Sequence, residues 1–264
     1  MTGISGAVTV LAVCAVWIVV LQGAAFAVGH RIRRYNVVDV IWGLGFVGIG
    51  VVALVLGGGD LTRRIVLAVV VAVWGLRLSW HMHVKTRGHG EDPRYVDYLG
   101  QDPTVGTVIG KVFATQGASQ LWVGLPIVVS AVCGATTGPG WILLVVGVAA
   151  ALVGFSFEAI GDAQLRAYKA DPDRGPIMDR GLWGWTRHPN YFGDACLWWG
   201  LWLIAASGGL PAVLTVLSPV AMTYFIVYAT GARRLEAAMA DRPGYADYCA
   251  RTSYFLPRPP RRSP

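Results

Sequence analysis

Charge is scarce in this sequence: Asp, Glu, Lys and Arg make up 14% of its 264 residues, against 55% hydrophobic. Together with a mean hydropathy of +0.52, that is too apolar for a soluble domain of this length. Histidine is scarce too, five in all. His81 and His83 are two apart, so a helix points them to different faces, and no HExxH pair occurs. No metal site is read here. The four cysteines, Cys14, Cys133, Cys196 and Cys249, form no CxxC pair and lie mostly in apolar runs, so they read as packing residues of a membrane core. The one GxGxxG string, GLGFVG at 43–48, lies inside an apolar run rather than between a strand and a helix, and GxxxxGK[ST] does not occur, so neither of the two common nucleotide-binding loops is read here. The net charge of +7 has no aromatic-interleaved basic stripe behind it, so nucleic acid is not an expected partner.

What the chain does have is apolar runs of about 17–22 residues, the length that crosses a bilayer at about 1.5 Å per residue. They fall near 6–29, 38–57, 63–82, 117–134, 140–160, 190–207 and 211–230. Gln116, Gln120 and Pro126 dilute the fourth. The first run, Val8 to Val28, is too long for the core of a signal peptide and reads as a retained helix. The fold class is therefore an all-α integral membrane protein with about seven transmembrane helices and a cytoplasmic cap of loops and short interfacial helices. Residues 1–256 read as one seven-helix membrane domain. The tail PRPPRRSP at 257–264 reads as disordered and basic.

The basic residues orient it. Nineteen of the 22 Lys and Arg fall in alternate loops and the C-terminal segment, while the opposite side carries only Arg63 and Arg64, and Arg77 lies within a span. An odd number of spans and this asymmetry both place the N-terminus outside and the C-terminus in the cytoplasm. Loops three–four and five–six, each about 30 residues long, then face the cytoplasm with most of the polar chemistry.

The stretch Gly181 to Leu203 crowds a polar cassette against a membrane-grade run. Arg187, His188, Asn190, Tyr191 and Asp194 precede Trp198, Trp199 and Trp202. Pro189 disfavours helix at His188 and suits a first helical turn, so Asn190 and Asp194 should share one face of a helix that starts there. Such a start, with Arg187 beside it, makes an anion site. Ionisable residues elsewhere in the spans, Asp39, Arg77, His81, Glu158 and Asp162, point to an internal polar cavity, because each costs several kcal/mol in hydrocarbon unless paired or wet. Phosphate-bearing ligands would have to be held by cations such as Arg87, Arg94, Arg166, Lys169 and Arg187.

At RHPNYFGD the chain resembles the steroid 5-alpha-reductase-like membrane reductases, in particular the bacterial branch catalogued as DUF1295. The likeness extends through YNVVDVIWGLGF at 35–46, WGLRLSWHMHVKTRGHGEDPRY at 74–95, FEAIGDAQLRAYK at 157–169 and a tail pattern from Arg234 and Glu236 through Tyr245 and Tyr248 to TSYFLP at 252–257. Sterol reductases and isoprenylcysteine carboxyl methyltransferases carry a similar cassette. The resemblance implies an NADPH site facing the cytoplasm, with Asn190 and Tyr191 at the nicotinamide end. Asp162, Arg166, Asp194 and Trp198 match family positions on the flanking helices, Arg187 and His188 match the cassette itself, and Arg87, Arg94 and Tyr95 approximate the nucleotide-contacting loop. The family's Gln-Glu pair in span two is missing, and its span-three Tyr falls on Trp74. An indole cannot act as a general acid, so Asp39 or His81 would have to supply the proton.

The leading expectation is thus an NADPH-dependent reductase of the bacterial inner (cell) membrane. It would deliver hydride to an activated C=C bond of a lipid-soluble substrate, such as a sterol-like enone or polyprenoid, that enters from the bilayer. Two alternatives stay open: a methyltransferase using S-adenosylmethionine in the same cassette, and a non-catalytic lipid-binding protein on the same fold. Oligomeric state is not legible.

Overall fold

The computed structural model describes residues 1–229 and 231–260. It is 76% helix, with no strand among the described residues, as expected where hydrocarbon leaves backbone N–H and C=O groups no partner outside their own helix. The helices are α1 Gly3–Ile32, α2 Val37–Leu56, α3 Leu61–Thr86, α4 Pro93–Leu99, α5 Val105–Val108, α6 Thr115–Val123, α7 Leu125–Ser130, α8 Gly140–Ala170, α9 Pro189–Ala206, α10 Leu210–Val213, α11 Leu217–Tyr224, α12 Ala232–Met239 and α13 Tyr245–Arg251. Five stretches are long and apolar enough to cross a membrane: α1, α2, α3, α8 and Leu210–Met239. They correspond to five of the seven expected runs. The run at 117–134 is instead split between α6 and α7, with Pro126 opening α7. The run at 190–207 is the 18-residue α9, whose first turns carry the polar Asn190 and Asp194.

The chain divides into two compact units, Met1–Leu144 with Leu201–Ser218, and Val145–Gly200 with Pro219–Pro264. In the first, α2 and α3 cross so closely that a Cβ on Gly43 would collide with the Gly75 carbonyl, the small-residue contact typical of membrane helices. The Trp17 indole donates to the Gly45 carbonyl (3.1 Å), and Gln22 reaches Gln120, which in turn donates to the Trp42 carbonyl. Arg63 is fully buried. Its guanidinium donates to the Ser130 and Thr136 hydroxyls and to the carbonyls of Ser130, Cys133 and Gly134, all at 2.8–3.1 Å. Asp60 caps α3 through the Arg63 N–H and also accepts from the Thr136 N–H. Read from the sequence as one of two cations on the outer side, Arg63 is the pin that ties 130–136 to the start of α3.

In the second unit, α8 and α9 cross through glycine. A Cβ on Gly154 would strike the backbone at Leu197 and Gly193, one on Gly193 would strike Glu158, and one on Gly200 would strike Ala151. This crossing sets Asp162 of α8 beside the first turn of α9. Trp183 and Leu182, at the short 3-10 turn Gly181–Gly184, donate to the Gly161 carbonyl and to Gln164 on α8. At the C-terminus, the Arg258 N–H donates to the Trp185 carbonyl. The remainder of the tail read as disordered, 261–264, lies outside the described residues.

Two outcomes are expected. Gly154→Ala should cost roughly 1–3 kcal/mol, the range for forcing extra volume into a packed contact, read as a lowered melting temperature in detergent. Burial raises the Asp60 carboxyl, but hydrogen bonds from the Arg63 and Thr136 N–H groups and the Arg63 charge outweigh it, so its pKa lies below the usual 3.8. The stabilisation is therefore complete above pH 3.8 and lost as pH falls through the lower, folded-state value. The difference in stability between wild type and Asp60→Asn should be constant near neutrality and close at strongly acidic pH.

Candidate functional site

The cassette is held by its neighbours in the second unit. The Arg187 N–H donates to the Ser253 carbonyl, and the Thr186 hydroxyl donates to Phe255 O, so the segment before α9 lies along residues 253–255. This turns Arg187 and His188 inward. The Arg187 Nε donates to Glu236 Oε1 at 2.9 Å and its Nη1 to the Cys249 and Thr252 carbonyls, while its guanidinium lies 5.3 Å from the Tyr254 ring centre. His188 is 4% exposed. Its Nε2 is 2.9 Å from the same Glu236 oxygen, and its ring stacks on Tyr191 and meets Tyr254 edge-on. Tyr245 also hydrogen-bonds Glu236. Burial and that carboxylate push the Tyr245 phenol well above its ordinary pKa, and burial raises the Cys249 thiol. Both stay protonated near neutral pH.

In the first turn of α9, the Asn190 amide donates to Asp162 Oδ1 at 3.2 Å, and its own oxygen accepts from the Tyr191 N–H. Asp162 is buried, and Arg166 lies exposed one turn further along α8. Asp194 and Trp198 follow at successive turns of α9, with Trp198 fully buried. The expected helix start at Pro189 is present, with Arg187 and His188 meeting on Glu236 and Asn190 meeting Asp162.

Arg87, Arg94, Tyr95, Asp39 and His81 belong to the first unit. The Tyr95 hydroxyl donates to Asp39 Oδ1 at 2.7 Å, and Arg94 Nη2 stands 3.6 Å from Asp39 Oδ2. Arg94 also grips Asp92 at 2.7 Å, which holds the Asp92 carboxyl below its usual range. Burial first, then the Asp39 charge, raise the Tyr95 phenol. Glu91 accepts from the Tyr35 and Asn36 N–H groups at the start of α2, where helix-end donors favour an anion. Arg87 ends α3, exposed, and His81 is half-buried within α3. The sequence reading therefore separated a pair that the structure joins: Asp39, assigned to the proton, and Tyr95, assigned to the nucleotide, share one hydrogen bond. It also passed over Glu236 as a site residue. The only signal for it was its place in the tail pattern with Tyr245 and Tyr248.

No group of three or more His, Cys, Asp or Glu suited to a metal occurs among the described residues. These features define an all-α integral membrane protein that carries a partly buried Arg–Glu–His cluster and an Asn–Asp pair at one helix crossing. Within that class the chain belongs to DUF1295, a family described as protein of unknown function, which matches residues 25–252. No curated protein and no solved structure matches the chain.

Removing Glu236 would leave the Arg187 cation buried without its counter-charge. Glu236→Ala should cost roughly 2–4 kcal/mol, somewhat under the range for a fully buried pair, and lower the melting temperature accordingly. Glu236→Gln, which keeps an acceptor, should cost less.

Proposed function

We propose that the protein is an NADPH-dependent reductase of a lipid-soluble substrate, related to the steroid 5-alpha-reductase-like enzymes and working from the cytoplasmic face of a bacterial cell membrane. In this reading α9 and the α6–α7 segment bring the spans to seven, and α4 with the loop before α9 forms part of a cytoplasmic cap. The observation that carries it is the Asn190–Asp162 hydrogen bond at the first turn of α9. It fixes a carboxamide at a helix start, beside exposed Arg166, in the cassette whose likeness to the reductases implies a nicotinamide site.

The donor set fits the cofactor in part. Asn190 and Tyr191 would hold the nicotinamide end, Asp194 and Trp198 belong to the same cofactor-binding set, and Arg166 would meet a phosphate. Arg187 is committed to Glu236 and two carbonyls, so its part is to position the cassette rather than to bind phosphate. The chemistry supplied by bound NADPH is hydride donation to an activated C=C bond. Asp39 is assigned the proton, with the Tyr95 hydroxyl, hydrogen-bonded to Oδ1, as the group that holds it in place; His81 is the second candidate donor.

The spending of Arg187 inside the protein favours one rival, a methyltransferase whose S-adenosylmethionine has no phosphates to neutralise. Thermal stability in mild detergent separates the two. Saturating NADPH, at about 100-fold its dissociation constant, should stabilise wild type by roughly 2.7 kcal/mol, with the gain lost in Asn190→Ala. Stabilisation by S-adenosylmethionine alone would replace the reductase with the methyltransferase, and no response to either would favour a lipid-binding protein.

A further inference from the structure

The second unit holds an open surface cavity of about 700 Å³ apart from the Arg187–Glu236–His188 and Asn190–Asp162 groups, lined by Tyr168, Lys169, Pro172, Arg174, Gly175, Pro176 and Arg242. Three of the seven are cations and none is a carboxylate. Two distant chain segments supply them: the end of α8 with its following loop, and the turn between α12 and α13. The loop is tied shut, because the Tyr168 hydroxyl donates to the Gly175 carbonyl, and the Asp173 and Arg174 N–H groups turn back to Asp171. Asp171 uses Oδ1 on the Asp173 N–H at 2.9 Å, and Asp173 and Asp241, each next to an arginine in the chain, are not among the lining residues. Arg174 is held over the Tyr168 ring, 6.0 Å away, by Nη1 bonds to the Lys169 and Asp171 carbonyls. That leaves its Nε and Nη2 edge, the fork that matches two oxygens of a phosphate.

We propose that this cavity binds a phosphate-bearing anion, gripped by Arg174 with Lys169 and Arg242 around it. Two sources carry that chemistry, a soluble phosphate ester and a phospholipid headgroup, and helix length favours the first. The apolar run of α8 ends near residue 160. Tyr168 is eight residues on, about 12 Å along an upright helix, whereas the headgroup layer is only about 5–8 Å deep. A solvated set of topology-determining cations would need neither a closed loop nor a shared cavity.

The test is titration of the full chain with inorganic pyrophosphate, in nanodiscs of phosphatidylcholine and in nanodiscs containing phosphatidylglycerol. Because the probe has no nicotinamide, the outcome is independent of the reductase reading. Saturable, salt-sensitive binding is expected in phosphatidylcholine, weakened at least about tenfold in Arg174→Gln/Arg242→Gln, as loss of charge-assisted hydrogen bonds requires. Both positions are exposed, and an unchanged melting temperature of the variant checks that it folds. Unchanged affinity in phosphatidylglycerol identifies a soluble ligand. Competition by phosphatidylglycerol that disappears in the double variant identifies the headgroup. Absence of binding, or equal binding by wild type and variant, overturns the proposal.

Discussion

A guanidinium taken out of water has to be given acceptors, and much of this protein is arranged to supply them. Arg63 has two hydroxyls and three carbonyls. Arg187 has a carboxylate, two carbonyls and an aromatic face. Arg94, by contrast, stays half exposed beside its two carboxylates. For Arg63 and Arg187 the desolvation is several kcal/mol and is offset only when geometry brings the acceptors together, so the loops that contribute them are held in place by the same bonds. The stretch 130–136 is ordered by Arg63, and the residues just beyond α13 are ordered by Arg187.

The helix crossings provide the second constraint. Without a hydrophobic driving force between helices in lipid, close association depends on backbones touching, and the glycines at 43, 75, 154, 193 and 200 are where they touch. The consequence for chemistry lies on α8 and α9. With no side chain between the two helices, Asp162 comes within hydrogen-bonding distance of Asn190, and buried Glu158 lies one turn back along α8 against Gly193.

Glu236 links these constraints to the candidate site. One oxygen receives both Arg187 and His188, so the two residues that look most available for a ligand are in fact set by an acid 48 and 49 positions away. Their role becomes one of shape: they fix the loop that leads into α9 and the aromatic surround of Tyr191 and Tyr254. In this unit Arg166 on α8, Arg174 and Arg242 are cations that remain at the surface.

Much of this was legible in one dimension. Runs of apolar residues are a local property, and so five spans, the helical class and the helix start at Pro189 follow from the residues alone. The cassette was legible for the same reason, since Arg187 to Asp194 are neighbours in the chain. The fourth and sixth runs were less so, because Gln120, Pro126, Asn190 and Asp194 dilute them. What only the tertiary structure decided is partnership: Glu236 for Arg187 and His188, Tyr95 for Asp39, five acceptors for Arg63, and which of 34 glycines are contact points. Each depends on where one helix crosses another, and a hydrogen bond that is formed or missed within an ångström leaves no periodic trace in a sequence.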